Sequence, residues 1–319
     1  MTPFQILVLL SICLVWSFHA IVIRTSVELV SPLIYVAFRM PILALILLPV
    51  LKWHKGQMRQ VLLGGLFYGG LNYAFLFSGF AYTTASVGAV VIESYVVIAT
   101  LFSMIFLGER IGWRRGLGIA AALVGVLTIA LADGDATGSR NLPLGASLLF
   151  MMAVCEATGS LLVKKIKGVR PIELLAWFAV VGAVVQVTLA TFFASDHFAW
   201  LGSPHRNQLI LALLYSVCAA SLFGHTAYYY LLQRVPLSIV ATSGILVTVL
   251  SVFFGVVLLG EALTPRVVIG SGLVLAGVAV MLIRGDDRAR IEMGKGAAKG
   301  TALRRSDVQQ KDEEEVSSL

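Results

Sequence analysis

Stretches of about twenty apolar residues, separated by short polar segments, recur along almost the whole of this 319-residue chain. Each stretch is long enough to cross a hydrocarbon layer of roughly 30 Å as a helix. A helix is required because backbone groups in lipid have to be hydrogen-bonded within their own segment. The pattern predicts an all-α membrane protein with ten transmembrane helices: Phe4–Ile23, Pro32–Leu51, Val61–Ala81, Thr84–Leu107, Ile111–Ala132, Pro143–Val163, Ile172–Ala194, Leu209–Leu232, Leu237–Leu259 and Val267–Ile283.

The second half of the chain repeats the first. Leu107-Gly108-Glu109 ends one apolar stretch, and Leu259-Gly260-Glu261 ends another 152 residues later. At the same offset, Ser86 falls on Ser238, Ala89 on Ala241, Gly118 on Gly270 and Gly125 on Gly277. Because five is an odd number, two repeats of five helices enter the membrane from opposite sides. Inverted repeats of this kind are typical of transporters with a substrate site between the halves.

This symmetry divides the chain into four parts. Residues 1–132 are the first repeat with helices one to five, and residues 143–283 are the second repeat with helices six to ten. Residues 133–142 form a linker whose Gly, Asp, Thr and Ser content is typical of a loop. Residues 284–319 lack apolar periodicity, so we expect a disordered cytoplasmic tail.

Composition and charge favour the same interpretation. With 58% hydrophobic and only 13% charged residues, the chain cannot be a pair of soluble domains. If the N-terminus is cytoplasmic, eleven Lys and Arg residues fall in the inward loops and four in the outward loops. This bias follows the positive-inside rule and predicts that both termini are cytoplasmic. The net charge of +7 therefore reflects topology, and we expect no nucleic-acid partner.

Several short motifs occur in a family-specific order along these helices. They are Val15-Trp16, Ile23-Arg24, Pro32, Ala37-Phe38-Arg39, Phe75-Leu76-Phe77, and the Gly-Glu-Arg and Gly-Glu-Ala endings of helices four and nine. Together they resemble the drug/metabolite transporter superfamily, specifically the bacterial EamA-type carriers with ten helices. The resemblance covers all ten predicted helices. It implies secondary transport, usually export, of amino acids or other small metabolites across the bacterial inner membrane, and the O-acetylserine/cysteine exporters are the most similar group. His19 stands where many relatives carry Asn, so the substrate can differ from theirs.

Two carboxylates lie within predicted helices, where a charge near the bilayer centre costs at least roughly 2.5–3.5 kcal/mol. Glu93 is near the middle of helix four, and it either contacts substrate or braces the helices as a protonated or ion-paired group. In the first case it holds a substrate amine or carries a coupling proton. Glu156 in helix six has the same two interpretations. By position alone, it matches the proton-coupling glutamate of the related four-helix multidrug exporters.

Other polar and aromatic residues complete the candidate substrate site. We expect Arg39 in helix two to pair with a carboxylate or with helix carbonyls near an outer gate; a clamp for a substrate carboxylate is the alternative. His225 is either a core residue or a cavity ligand, and no metal-ligand spacing accompanies it. Asn72 and Tyr73 align with Gly224 and His225, as expected if helices three and eight face one cavity, although Asn72 also suits interhelical bonding. The remaining candidates for an aromatic pocket, each of which also suits simple packing, are Trp16, His19, Tyr95, Tyr228 and Tyr229.

A glutamate ends helix four and another ends helix nine, at equivalent positions of the two repeats. A carboxylate at a helix C-terminus is unfavourable for the helix dipole, so each needs a partner. We predict a gating or structural role in which Glu109 and Glu261 cap the helix that follows each of them, or pair with Arg114 and Arg266. Helices five and ten also carry small residues that permit close helix contact: Gly118, Ala122, Gly125, Gly272, Ala276 and Gly277.

These features favour a secondary carrier that works by alternating access and uses a proton or substrate gradient. No P-loop sequence is present, so we do not expect transport driven by ATP bound at a P-loop. The chain is not expected to be an enzyme, because its scattered Glu and His residues supply no clustered nucleophile, base or metal ligands. We expect a small-molecule substrate, protons as the candidate coupling ion, no cofactor, no metal, and a monomer or homodimer in the bilayer. A lipid or lipid-linked metabolite flippase of the same fold is the alternative function.

Overall fold

The structure, a computed structural model, describes residues 1–107, 112–132, 134–195, 197–232, 234 and 237–281. Within these ranges the protein is built from helices and contains no β-strand. The helices are α1 (Pro3–Leu29), α2 (Pro32–Leu47), α3 (Met58–Tyr82), α4 (Ala85–Ile92 and Ser94–Leu107), α5 (Trp113–Ala130), α6 (Leu142–Lys164), α7 (Pro171–Phe193), α8 (Arg206–Leu214, Tyr215–Phe223 and Gly224–Leu232), α9 (Leu237–Leu259) and α10 (Pro265–Met281). Short helical turns at Leu48–Val50, Gly134–Thr137 and Ala199–Gly202 connect them. Glu109 and the predicted tail, residues 284–319, lie outside the described residues.

Seven of the described helices are long and apolar enough to cross a bilayer. They are α1, α2 with its C-terminal turn, α3, α4, α6, α7 and α8. Shorter apolar helices, Gly116–Ala130, Ser243–Leu259 and Pro265–Met281, lie in α5, α9 and α10. Large apolar side chains such as Ile105, Phe192 and Phe193 are exposed, as expected for a surface that meets lipid. The prediction of an all-α membrane protein is confirmed, and the count of ten spans stays a prediction.

Local sequence explains where several helices begin. The side chains of Thr2, Thr84 and Asn141 each accept a hydrogen bond from a backbone N–H in the first turn of α1, α4 and α6. Such caps satisfy N–H groups that have no partner within the helix. Prolines occupy the first turn of α1, α2, α6 and α7, where a missing N–H costs nothing.

Helices α3 and α8 each contain a π-helical segment in the middle of the bundle. The segments are Gly65–Leu71 in α3 and Tyr215–Phe223 in α8. Ordinary helix resumes at Asn72 in one case and at Gly224 in the other, 152 residues apart. A π-helical turn replaces the regular ladder with i→i+5 bonds and is frequent at functional sites. Within the α3 segment, the Gly70 carbonyl accepts a hydrogen bond of 2.6 Å from the Gln186 amide of α7.

Helices from the two halves pack against one another throughout the bundle. Helix α2 lies along α7, α3 along α6, and α1 along α9, while α4 contacts both α6 and α9. The backbones of α3 and α7 approach most closely at Gly69 and Gly182, where a side chain on either residue would collide with the other helix. Small residues at such crossings are what permits close packing in membrane proteins.

Helices α5 and α10 cross through two glycine pairs. A methyl group on Gly118 would lie 2.8 Å from the Gly277 carbonyl, and one on Gly125 would lie 2.6 Å from the Gly270 carbonyl. The predicted contact between small residues therefore forms between these two helices. Gly272, which the sequence pattern included in the contact, instead faces open space with no atom within 4 Å. It lies two residues from Gly270 and so points to a different side of α10.

Gly270→Ala should destabilise the protein, whereas Gly272→Ala in the same helix should leave its stability unchanged or slightly increased. The added methyl group at position 270 would come 2.6 Å from a side-chain carbon of Ile129, so α5 and α10 would have to separate. Overpacking of this kind costs about 1–3 kcal/mol. Thermal unfolding of the detergent-solubilised variants measures the difference, and equal melting temperatures would contradict the described contact.

Candidate functional site

A cavity of about 710 Å³ lies in the middle of the bundle, between α1, α3, α4, α6, α8 and α9. This volume is in the range of small-molecule binding sites. Toward one end, the lining residues Ile23, Phe80 and Ala89 are buried. Toward the other end, Thr100 and Ser160 are only partly buried. The exposure of these lining residues therefore increases toward the side where α4 and α6 end, which we call the open end of the cavity.

Glu93 is placed in the cavity by a break in α4. The helix is interrupted at this residue: its N–H donates to the Val90 carbonyl at 3.1 Å, and its own carbonyl accepts from the Val96 N–H at 3.1 Å. The carboxylate accepts a hydrogen bond of 2.7 Å from the Thr248 hydroxyl of α9. Gly244, one turn before Thr248, leaves room for the carboxylate, since a methyl group there would lie 3.5 Å from Glu93 Oε1.

Glu156 enters the cavity from α6 and is held by α3. Its carboxylate accepts hydrogen bonds from the Tyr68 hydroxyl at 3.2 Å and from the Asn72 amide at 3.3 Å. Tyr68 and Asn72 are four residues apart and therefore lie on one face of the helix. Asn72 also donates to the Met152 carbonyl of α6 at 3.4 Å, so it joins the two helices.

Aromatic side chains from α1, α4 and α8 also line the cavity. The rings of Trp16 and His225 meet edge to face at 5.6 Å, and Tyr228 lies 5.5 Å from Trp16. The Ala220 carbonyl, within the π-helical segment of α8, accepts from Trp16 Nε1 at 3.0 Å and from His225 Nδ1 at 3.2 Å. The irregular backbone therefore fixes the orientation of two cavity residues. Tyr95 is positioned separately, by a hydrogen bond of 3.1 Å to the Ser160 hydroxyl.

Arg39 lies behind the cavity rather than in it. Its guanidinium donates to the Ser221 hydroxyl at 2.7 Å and stacks over the ring of Tyr73, 4.3 Å from the centroid. Among the described residues it has no carboxylate partner, so the expected ion pair is not found. Ser216, one turn earlier in α8, bonds both to His19 at 3.0 Å and to Tyr35 at 2.8 Å. A polar network thus joins α1, α2 and α8 beside the cavity.

The structure brings most of the predicted site residues together. Trp16, His19, Glu93, Tyr95, Glu156, His225 and Tyr228 line the cavity. Asn72, Tyr73 and Arg39 do not, because Asn72 and Arg39 are buried between helices and Tyr73 lies under the guanidinium. The side chain of Tyr229 is outside those that the structure describes. No three His, Cys, Asp or Glu side chains within the described ranges form a group that would hold a metal.

Sequence reasoning named Asn72 but missed Tyr68 and Thr248, the other residues that hold the two carboxylates. Tyr68 lies one helical turn before Asn72, and that spacing would have placed it on the same face. Gly244, Thr248 and Ser251 follow the spacing of one helix face in α9 and all line the cavity. The signal available in the sequence was this stripe of glycine and hydroxyl-bearing residues along one face of an otherwise apolar helix.

Glu261 caps a different helix from the one predicted. Its carboxylate accepts hydrogen bonds from the N–H groups of Ala85 at 2.5 Å and Ser86 at 2.8 Å, at the start of α4. The predicted partners were the N-terminus of α10 or Arg266. Arg266 instead donates to the Leu131 carbonyl at 3.1 Å. The chain turns at Gly260 with φ of 65°, and α4 crosses α9 beside Gly255, so its N-terminus is within reach of Glu261.

The model of the EamA-like transporter family matches residues 3–131 and again residues 143–283. The chain belongs to the EamA-like transporter family. It is accordingly a multi-pass membrane transporter that acts on a small-molecule substrate, and the central cavity is its candidate binding site. The two matched ranges lie on either side of the predicted linker, and each contains one of the two π-helical segments.

Relatives of this EamA-like transporter cover most of its length. An uncharacterized transporter of Archaeoglobus fulgidus is 28% identical, and the match covers 84% of this chain and 94% of the relative. Probable amino-acid metabolite efflux pumps are similar too, at 26% identity in Salmonella typhimurium and 25% in Escherichia coli. These matches cover 85% and 89% of this chain and 92% and 97% of the relatives. A solved crystal structure has the same fold, with a TM-score of 0.57 at 18% identity over 88% of this chain and 96% of that one.

Arg39→Lys should destabilise this transporter, because an ammonium group cannot both stack flat on Tyr73 and bond Ser221 in a fixed direction. Loss of a buried hydrogen bond to a charged group costs about 1.5–3 kcal/mol. Arg206→Lys is the matched control, since its bond of 3.5 Å to Asn207 is exposed. Thermal unfolding in detergent should show a clear decrease for the first variant only; equal decreases would argue against the stacked guanidinium.

Proposed function

We propose that this chain is a secondary-active transporter that moves a small metabolite, an amino acid or a derivative of one, out across the bacterial inner membrane by alternating access. The observation that carries the proposal is the central cavity, which is closed at one end and contains Glu93 and Glu156. Helices from both halves of the chain line this cavity. Alternate closure of the two ends would then carry a ligand across the bilayer without a continuous pore.

The internal symmetry of the contacts supports an inverted repeat. The 152-residue offset converts the Gly118–Gly277 contact into the Gly270–Gly125 contact, and both are present. The π-helical segments of α3 and α8 end at Leu71 and Phe223, which are related by the same offset. Two halves of similar structure that are threaded in opposite senses can exchange conformations, so that the open end becomes the closed one.

The bonds of Glu261 support a gate at the closed end. Buried Phe80 and Ala89 lie near this end of the cavity, close to the start of α4 where Glu261 binds. By the same offset, Glu109 corresponds to Glu261, while Leu237 and Ser238 correspond to Ala85 and Ser86. With both termini cytoplasmic, the Glu261 gate faces outward and the described cavity faces the cytoplasm.

Glu261→Gln should open the outer gate more often. The amide lacks the negative charge that strengthens both hydrogen bonds to the start of α4 and its interaction with the helix dipole. A loss of about 1.4 kcal/mol changes the population of the open form tenfold. The reporter is Ala89→Cys in a Cys218→Ser background, because Cys218 is exposed whereas Cys13 and Cys155 are buried.

A membrane-impermeant maleimide added to intact cells should label this reporter roughly tenfold faster in the Glu261→Gln variant. Glu28→Gln is the control, because Glu28 is half exposed and pairs with Arg24 at the predicted outer end of α1. Faster labelling in both variants would point to general loosening. Unchanged labelling of the Glu261→Gln variant would contradict the proposed gate.

We propose that the two carboxylates of the cavity carry the coupling proton. Glu93 and Glu156 are held only by neutral hydrogen-bond donors among the described contacts, so a proton can be gained or lost without breaking an ion pair. Exchange of protons for substrate at such groups links a pH gradient to transport.

In proteoliposomes, flux of at least one of labelled cysteine, O-acetylserine, an aromatic amino acid or an amino-acid amide should increase with a pH gradient. Glu93→Gln and Glu156→Gln should each abolish this response, whereas Glu28→Gln should keep it. Unchanged pH dependence in both cavity variants would remove the coupling proposal. Scrambling of a fluorescent lipid without flux of any solute would favour a flippase instead.

A further inference from the structure

The charge of the central cavity is one-sided. Two carboxyl groups face it, one from α4 and one from α6. Among the described residues that line it, none is Lys or Arg. Of the described lining residues, only His19 and His225 carry a basic nitrogen in the side chain. The first is hydrogen-bonded to a serine, and the second donates its Nδ1 proton to a backbone carbonyl.

Two buried cations outside the described lining are committed elsewhere, and the first of them, Arg24, pairs with Glu28 at 2.8 Å. Arg39 is 1% exposed, and its guanidinium is stacked on Tyr73 and bound to Ser221 behind the lining of the cavity. A substrate carboxylate would therefore enter a chamber that already contains two acidic groups and would find no cation there. Burying such a charge without a partner is strongly unfavourable.

An ammonium group finds the opposite conditions. Glu93 and Glu156 supply the opposite charge, and the indole and phenol rings of Trp16, Tyr95 and Tyr228 line the same chamber. Aromatic faces attract cations, and the attraction is stronger where water is excluded. The rest of the wall is largely apolar, with residues such as Leu76 and Ile92, and suits the hydrocarbon part of a ligand.

We propose that the ligand of this cavity is an organic ammonium ion without a free carboxylate: an amine, or an amino-acid derivative whose carboxyl group is blocked as an amide or ester. The inference rests on the proposed transport function and narrows its substrate class. An ammonium ion and protons compete for the same carboxylates, so one can be exchanged for the other without leaving the cavity with an unbalanced charge.

Binding to the purified full-length protein in detergent tests the proposal with two matched series. One consists of phenethylamine, phenylalaninamide, phenylalanine and 3-phenylpropionate, and the other of isoamylamine, leucinamide, leucine and 4-methylpentanoate. Within at least one series, the amine and the amide should bind at least tenfold more tightly than the amino acid, and the acid should not bind. Calorimetric titration is preferred to flux here, because neutral amines cross liposomes unaided.

The carboxylate variants separate charge recognition from general damage. Glu93→Gln and Glu156→Gln should each weaken amine binding at least tenfold while affecting the matching alcohol, 2-phenylethanol or isoamyl alcohol, much less. Glu28→Gln should bind amines like the unmodified protein. Equal binding of amine and amino acid, binding of the acids, or no binding of either amine series would overturn the proposal. If amino acids are carried in response to a pH gradient and amines are not bound, the substrate class is wrong while the transport function stands.

Discussion

Polar groups inside this bundle have to find partners within the protein, because the surrounding lipid offers none. This constraint explains why the buried polar residues form a few connected networks rather than scattered single sites. Glu156 is held by two donors from α3, Glu93 by a hydroxyl from α9, and Arg39 by Ser221 of α8 and a tyrosine ring. Each bond joins different helices, so satisfying a polar group also fixes how the helices are arranged.

The π-helical segments show how backbone irregularity is used under the same constraint. In α8 the Ala220 carbonyl is available to accept from both Trp16 and His225, and the Ser216 carbonyl accepts from the Ser221 hydroxyl at 2.9 Å. Carbonyls of this segment thus accept hydrogen bonds from side chains of the cavity wall and of the Arg39 network.

The sequence predicted the membrane class and the positions of the helices well, because long apolar stretches have a single structural solution in lipid. It also identified both cavity carboxylates, since a charged residue in such a stretch stands out. It did not identify Tyr68 and Thr248, whose types are ordinary in membrane helices and whose roles depend on which neighbour they meet. The partner of Glu261 was wrong for a related reason. Proximity along the chain suggested α10, whereas the crossing of α9 by α4 brings a more distant helix start into reach.

Helix α4 connects the cavity to its closed end. Its N-terminal segment, Ala85–Ile92, begins at the amides bound by Glu261 and ends directly before Glu93. The break at Glu93 separates this eight-residue segment from Ser94–Leu107, which continues to the open end. Thr248 therefore bonds one end of this segment and Glu261 bonds the other. Under the proposed function, ligand binding at Glu93 and closure by Glu261 would act on the two ends of one short helix, which is the linkage that alternating access requires.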